Sequence, residues 1–511
     1  MILLVHKDNR VIEIIDLKTD KSIDFTNSNP VEALFHVAKN NIESILIWCH
    51  KSLKENLNIN GIETSFHLKN MMLSYSTEQY VPEQIGYIED SPFLKVNKRV
   101  KYPTWLMSNQ VGVIHASQLL KFENKINYNN SFDFFLNSIA KTGMPQGLFC
   151  YSEPKLLNDL NLLTESGKAS KFELFKFARL HYKGVWSFLL FLNLIVYERK
   201  FPLFSFFKNV FSNQKKIKLE FEQEPLSLNK TNLGISIDVI IPTVGRKEYL
   251  HDVLIDLSNQ TKLPEKVIIV EQNEDINSKT ELDFIANNIW PFMIIHKFIH
   301  KMGACNARNL ALKEVTADYL YLADDDNKFK NNLLEDVITK MTYYDLDVIT
   351  MSYLQENEVE IHNKPLQWST FGAGSSVMAS KFLEQIKFNL ALEFGYGEDA
   401  DFGMQLRNSG ADVIYFPDIK IKHLKAPIGG FRTPFKHPWF KEEVQPKPSP
   451  TVMLNRMNNS TKHQLLGYKT KLFLKYYKSQ NIKNPIRYFK LFKKQWQFSQ
   501  FWANTLKEQH K

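Results

Sequence analysis

Cysteine is scarce in this chain: three residues in 511, Cys49, Cys150 and Cys305, far apart and odd in number. Such spacing supplies neither a disulfide framework nor a metal-ligand cluster, and it suits a reducing compartment. Long apolar runs are also missing. The best, Val185 to Tyr197, falls short of the ~20 residues a spanning helix needs, so a buried or interfacial helix is expected there. The first residues, Met1-Ile2-Leu3-Leu4-Val5-His6-Lys7-Asp8, show no basic segment leading into an apolar stretch and a cleavage site. They read as a short strand, and a cytoplasmic location is expected. Acidic residues are absent from Val444 to Lys507, where 13 Lys or Arg accumulate. Setting those aside leaves 51 basic against 55 acidic residues, so the net charge of +9 belongs to the C-terminal tail. Nucleic-acid binding by the body of the chain is thereby disfavoured.

What is present is an ordinary globular composition, 44% hydrophobic and 23% charged, with a high aromatic share of 13% that thick cores would absorb. The length calls for two or three domains. Residues 1–215 are expected to form an N-terminal α/β domain and the polar stretch 216–234 a linker. Residues 235–440 are expected to form a second α/β domain, followed by a basic, partly helical tail over 441–511. From Ile235 the pattern alternates: an apolar run ending at Pro242, a helix to about Ser258, a strand at Lys266–Val270, and a helix near Thr280–Asn288. A strand near Phe292–Ile295, a helix over Ala304–Glu314 and a strand Tyr319–Ala323 follow. This implies a largely parallel sheet with ligands at the strands' C-terminal ends. Trp105, Ala116-Ser117, Asp133-Phe134 and Thr142-Gly143 recur in order as Trp368, Ala379-Ser380, Asp401-Phe402 and Ser409-Gly410. Counting back from each glycine sets Ser131 opposite Glu398 and Phe132 opposite Asp399. A repeat in that register would be a duplicate stripped of its acids.

Three features carry chemistry. Asp324-Asp325-Asp326-Asn327 follows a hydrophobic strand; adjacent carboxylates repel unless a cation lies among them, and oxygen ligands suit Mg²⁺ or Mn²⁺ bound to a diphosphate. A solvated acidic turn is the plainer reading. Gly395-Tyr396-Gly397-Glu398-Asp399 opens a helix, where glycines would present two carboxylates in a cleft and the helix terminus would keep a general base ionised. Capping alone would explain such a pair. His423 closes a strand and could complete a carboxylate metal site, although strand-end histidines are commonly structural.

Together these elements resemble family 2 glycosyltransferases of the GT-A type, with a galactosyltransferase-like acidic motif. The resemblance runs from about Ser236 to Lys425. Ile240-Ile241-Pro242-Thr243-Val244-Gly245-Arg246 is similar to the opening strand and nucleotide loop, and Gly303-Ala304-Cys305-Asn306-Ala307-Arg308-Asn309 to the glycine-led helix. Asp324-Asp325-Asp326 resembles the Asp-X-Asp motif, and Gly397-Glu398-Asp399 the acceptor-side motif. The resemblance implies a GT-A catalytic domain, Rossmann-like with a mostly parallel sheet, beside an N-terminal domain read as a degenerate GT-A copy. It implies that Thr243 and Glu271 hold the nucleotide's base and ribose, with Pro242, Arg246 and Arg308 beside the donor. Asp324 and Asp325 would contact the donor, and Asp324, Asp326 and His423 would hold Mn²⁺ or Mg²⁺. Asp399 would deprotonate the acceptor hydroxyl, Glu398 would orient the acceptor, and transfer from a nucleotide-sugar, UDP-linked by default, would invert the anomeric centre. Many relatives carry Asp where this chain has Glu271.

Ala426 to Arg432 could hinge a lid carrying Arg432 toward phosphate. In the tail, Tyr468, Leu472 and Tyr476, then Phe489, Phe492 and Trp496, form apolar stripes beside Lys471, Lys475, Arg487, Lys490 and Lys494. A basic amphipathic helix of this kind suits an anionic membrane surface, and a glycan or lipid-linked glycan is the expected acceptor. The competing readings are a nucleotidyltransferase, whose glycine-rich basic signature is a poor match here, and an inactive carbohydrate-binding scaffold.

Overall fold

The structure, a computed structural model, describes residues 1–25, 28–126, 131–162, 167–210, 217–226, 234–426 and 435–510. Its contacts divide the chain into two units, Met1–Leu228 with Thr461–Thr470, and Asn229–Ser460 with Lys471–Lys511.

The first unit is built on an eight-stranded sheet: β1 (Ile2–Lys7), β2 (Arg10–Asp16), β3 (Lys21–Ser22), β4 (Ile45–His50), β5 (Met71–Tyr75), β6 (Tyr102–Pro103), β7 (Val111–His115) and β8 (Phe149–Ser152). The order across it is β3-β2-β1-β4-β7-β5-β8-β6. β1 is apolar on both faces and buried from Ile2 to Val5, as an interior strand must be. Asp8 and Asn9, with φ of 51° and 56°, make the tight turn into β2. Gly112 of β7 lets Trp48 lie against the sheet; a Cβ there would stand 2.1 Å from the indole. The helix α1 (Phe132–Gly143) buries Phe132, Phe134 and Phe135 in a core shared with Trp48, Trp105 and Phe175. This aromatic core takes up 12 of the chain's 38 phenylalanines. Two further helices, α2 (Gly184–Glu198) and α3 (Leu203–Val210), pack on the same core through one face each.

The stretch expected to be a linker is partly built into this unit. Leu219 and Phe221 are buried, Leu219 N–H donates to Gln146, and Pro225 bridges to Leu68. The reason is a period-two pattern, Ile217, Leu219 and Phe221 alternating with Lys218, Glu220 and Glu222, which charge content concealed.

The second unit holds β9 (Ile237–Thr243), β10 (Lys266–Gln272), β11 (Met293–Ile299), β12 (Tyr319–Ala323), β13 (Asn327–Phe329), β14 (Val348–Leu354), β15 (Leu366–Gln367), β16 (Ser375–Ala379) and β17 (Ile414–His423). They run β11-β10-β9-β12-β16-β14-β17-β13, with β15 also on β17. The β11-β10-β9-β12 half is parallel, as the alternating pattern implied, while β16 is antiparallel to both its neighbours. Helices α4 (Ala304–Leu312) and α5 (Glu398–Asn408) carry the acidic and basic side chains of interest. The helix expected over 280–288 is reduced to Phe284–Asn287.

Strand for strand, the two sheets share an order, and the pairings β1·β4, β4·β7, β7·β5, β5·β8 and β6·β8 have the same sense as β9·β12, β12·β16, β16·β14, β14·β17 and β15·β17. They part at one edge. β1, β2 and β3 form an antiparallel meander where β9, β10 and β11 are parallel.

The basic tail is not an appendage. It forms α6 (Pro450–Asn459), α7 (Lys462–Ser479) and α8 (Pro485–Gln509). Gln464 Nε2 donates to the carbonyls of Glu89 and Ser91 within the first unit. In the second unit α8 packs along α6, burying Tyr488, Phe492 and Trp496. The apolar stripe expected to meet a membrane is thus used for packing, apart from the exposed Phe489. No described helix is long and apolar enough to cross a membrane.

Candidate active site

The site gathers where β9, β12, β14 and β17 end. β12 delivers Asp324, Asp325 and Asp326. Asp325 is buried, accepts the Thr243 hydroxyl at 2.6 Å and pairs with Arg246. Burial pushes its carboxyl up to about 6 against the pull of Arg246. Asp326 Oδ2 lies 3.4 Å from His423 Nε2 and 3.4 Å from Arg246, and accepts the Ala426 N–H at 3.0 Å. Burial raises Asp326, but the His423 bond, the Ala426 N–H and Arg246 outweigh it and hold it below the usual carboxylate range. Asp324 pairs through Oδ1 with Arg308 at 3.0 Å and accepts the Tyr353 hydroxyl at 3.3 Å. Gly374 makes room for it, since a Cβ there would stand 2.2 Å from Asp324 Oδ2.

Tyr353, which the sequence reading missed, also stacks on His423 with ring centroids 4.6 Å apart. Tyr353 therefore meets Asp324 through its hydroxyl and His423 through its ring, and His423 in turn meets Asp326. Oxygen and imidazole donors of this kind suit Mn²⁺ or Mg²⁺, and the 3.4 Å between Asp326 and His423 fits two ligands of one ion. Among the described residues no three His, Cys, Asp or Glu side chains converge closely enough to form a cage, and Asp324 is paired with Arg308.

Arg308 is buried on α4, its guanidinium over the Phe388 ring at 5.4 Å. Burial opposes its charge, yet Asp324, Asp399 and Glu398 all favour it. Arg308 thus links the β12 carboxylates to the start of α5. There Gly397, at φ +116°, lets the chain turn into the helix, and Glu398 and Asp399 follow. Asp399 Oδ2 accepts the Ala373 N–H at 3.3 Å, while its buried Oδ1 has no hydrogen-bond partner. Burial raises Asp399, partly offset by Arg308, and raises Glu398 to about 7 with Asp399 adding to the effect. A buried carboxylate with one free oxygen and a raised affinity for protons is equipped to take a proton from a hydroxyl.

Glu393 is a second residue the sequence reading missed. Its carboxylate accepts the Cys305 and Asn306 N–H groups at 3.0 and 2.9 Å, capping α4 from outside the helix, where Gly303 offers no side chain. A Cβ on Gly303 would stand 2.4 Å from that carboxyl. Asn309 then bonds both the N–H and the carbonyl of Phe388 at 2.8 Å. The helix bearing Arg308 is clamped to the segment that leads into Asp399. Only register across long sequence gaps reveals such a clamp.

Glu271 lies on β10 and is not among these contacts. Its carboxylate accepts the Thr280 hydroxyl at 2.5 Å, the Glu281 N–H at 3.0 Å and a contact from His296 at 2.9 Å. Pro242 sits opposite Val270 in the β9·β10 pair. The lid expected beyond Ala426 falls on residues 427–434, outside the described residues, and Arg432 with it.

The first unit corrects the expected repeat register. Asp133, second residue of α1, accepts the N–H of Asn109, two residues before β7, at 2.9 Å. Asp399, second residue of α5, accepts the N–H of Ala373, two residues before β16. Asp133 therefore stands opposite Asp399, and Phe132 opposite Glu398. The first unit thus carries a buried acid at this station. By the same pairing, Cys49 faces Val111 as Ala323 faces Ser375, so His50, Lys51 and Ser52 occupy the stations of Asp324, Asp325 and Asp326. Phe132 packs edge-on against His6 and Trp48, with Asp133 buried behind it.

The profile described as Glycosyl transferase family 2 matches residues 238–398. A curated relative, Glycosyltransferase GlyG of Streptococcus pneumoniae serotype 4 (strain ATCC BAA-334 / TIGR4), is 24% identical over 122 residues. The match covers 24% of this chain and 40% of that protein's length. Among solved structures, S. aureus TarS 1-349 aligns at 18% identity over 37% of this chain and 60% of its own, with a TM-score of 0.32. The same fragment in complex with UDP-GlcNAc gives 15% identity, coverage of 46% and 70%, and a TM-score of 0.34. GalNAc-T7 with UDP, GalNAc and Mn²⁺ gives 11%, 37% and 44%, and 0.32. Residues 238–398, which carry Asp324–Asp326 at the end of β12 and stop one residue short of Asp399, are a family 2 glycosyltransferase domain of GT-A fold.

Proposed function

We propose that the second unit transfers a sugar from a nucleotide-sugar donor to a hydroxyl of a glycan or lipid-linked glycan, in a single displacement that inverts the anomeric carbon. The observation that carries this reading is the pairing of two stations through Arg308: the β12 carboxylates on one side, and Asp399 with its unpartnered oxygen on the other. Asp399 accepts the acceptor hydroxyl's proton, and Glu398 orients the acceptor beside it. Arg308 and Arg246 draw the donor's diphosphate toward Asp324 and Asp325. Thr243 and Pro242 flank the nucleotide, and Glu271 reaches its ribose from β10. A divalent Mn²⁺ or Mg²⁺ held by Asp326, His423 and Asp324 would offset the charge of the departing diphosphate. UDP is the proposed nucleotide, and cell-envelope polysaccharide assembly on the cytoplasmic side of a membrane the proposed setting.

The first unit favours the scaffold reading for itself alone. His50, Lys51 and Ser52 replace the three aspartates, and Phe132 fills the acceptor side.

The test is nucleotide release from a panel of nucleotide-sugars with Mn²⁺, in wild type, Asp326→Ala and Asp399→Asn. One donor turned over by wild type, with Asp399→Asn slowed by about 10²–10⁴ while donor binding survives, is the expected result. Folded wild-type protein that binds no donor in the panel would refute the transferase.

A further inference from the structure

The first unit exposes an apolar face that its own fold does not cover. α2 turns Ser187, Leu190, Asn193 and Leu194 inward, leaving Val185, Phe188 and Val196 outward, with Leu192 half-buried on the same stripe. Past the left-handed Arg199, the face continues through Phe201, 66% exposed, into Leu203, Phe204 and Phe207 of α3, with Phe204 72% exposed. Scattered exposed apolar residues need no explanation. Seven large ones within 23 consecutive positions, four of them phenylalanine, mark a surface evolved to leave water.

The charges around it name the occupant. Between Lys183 and Lys208 the only acid is Glu198, which is half-buried and paired with Lys200. Lys183, Arg199, Lys200 and Lys208 rim the face, and Lys208 lies over the Phe204 ring at 5.4 Å. At 15 residues α2 is too short to span a bilayer of ~30 Å, given a rise of about 1.5 Å per residue. Aromatic side chains flanked by lysine and arginine on a short helix are the composition that lies in the plane of an anionic lipid surface.

We propose that α2 and α3 dock the protein on an anionic bilayer, with the four phenylalanines inserted among the lipids and the basic rim on the headgroups. This assigns membrane contact to the first unit rather than to α8, whose Tyr488, Phe492 and Trp496 are packed inward. It does not depend on the identity of the donor.

The test is co-sedimentation of the full chain with vesicles of phosphatidylglycerol and phosphatidylcholine in equal parts, against phosphatidylcholine alone. Wild type should bind the anionic vesicles and lose them as salt rises. Phe204→Ser with Phe207→Ser should weaken binding at least tenfold and leave nucleotide release from a soluble donor unchanged. Lys490→Ala with Lys494→Ala, on α8, should bind as wild type. Equal binding by wild type and the phenylalanine variant, or none by wild type, would overturn the assignment. So would a wild-type dimer, by light scattering, that the phenylalanine substitutions dissociate, since the face would then cover a second copy of the chain.

Discussion

Asp133 is the carboxyl on which the reading of the first unit can be tried most directly. Burial raises it from the ordinary value near 3.8 to about 7, with only the Asn109 N–H opposing. An acid that holds its proton more tightly when folded stabilises the fold while protonated, and loses that contribution as pH rises through the folded value. From pH 4 to above 7 the loss amounts to about 4 kcal/mol, at about 1.36 kcal/mol for each pH unit of difference. Asp133→Asn keeps an oxygen for the Asn109 N–H and carries no charge to bury. Measured against wild type, the variant should gain about 2.7 kcal/mol between pH 5 and pH 8, since about two pH units of that span lie below the folded value. Amide hydrogen exchange of α1, followed by mass spectrometry at pH values from 5 to 8 and corrected for intrinsic rates, isolates this unit from the other. Parallel pH slopes in the two proteins, or a variant weakened at both ends, would show that the carboxylate is ionised and held by a partner. Asp133 would then be more than a buried remnant of the Asp399 station.

Three further outcomes are expected from the second unit. Glu393→Gln should cost about 1–3 kcal/mol of local stability by weakening two charge-assisted bonds to α4, and should raise the donor KM through Arg308. Steady-state kinetics beside thermal melts would check it, and an unchanged KM with a lowered melting point would deny the positioning role. Gly303→Ala should be worse than Glu393→Gln, because the Cβ meets the Glu393 carboxyl and φ is +133°; a melt equal to wild type would contradict it. Activity should fall with acidification sooner than for an ordinary carboxylate, because Asp399 is raised by burial and must be ionised to accept a proton. A kcat/KM profile flat from pH 8 to 5 would count against Asp399 as the base.

The alternating pattern from Ile235 made the parallel half of the second sheet legible, because β9, β10 and β12 each carry a buried apolar run and polar stretches separate them. Asp324, Asp326 and Asp399 were legible for the same reason: each sits at an element's end where periodicity stops. Tyr353, His296 and Glu393 were not, since their meaning depends on which strand lies beside which. His296 meets Glu271 only through the β10·β11 register, and nothing local in Met293–Ile299 announces it. The repeat was visible but misaligned. Counting back from the glycines fails because Gly143 follows the first residue of α1 by 11 positions while Gly410 follows the first residue of α5 by 12, and that one-residue difference moves Asp133 off its counterpart. In the tail, amphipathicity was read correctly, but periodicity cannot say whether a stripe meets lipid or protein.

The ten residues Thr461–Thr470 belong with the first unit, where Gly467 passes so close to Tyr87 that a Cβ would stand 2.3 Å from its carbonyl oxygen. During synthesis, then, the N-terminal sheet leaves the ribosome without its last segment. More than 230 residues must follow Leu228 before that segment emerges, a wait of roughly 10–50 s at about 5–20 residues per second. Throughout it the backbone of Glu89 and Ser91 lacks Gln464. The unit made first is among the last to be finished, and a nascent chain arrested anywhere in the transferase domain would present chaperones with an incompletely closed N-terminal partner.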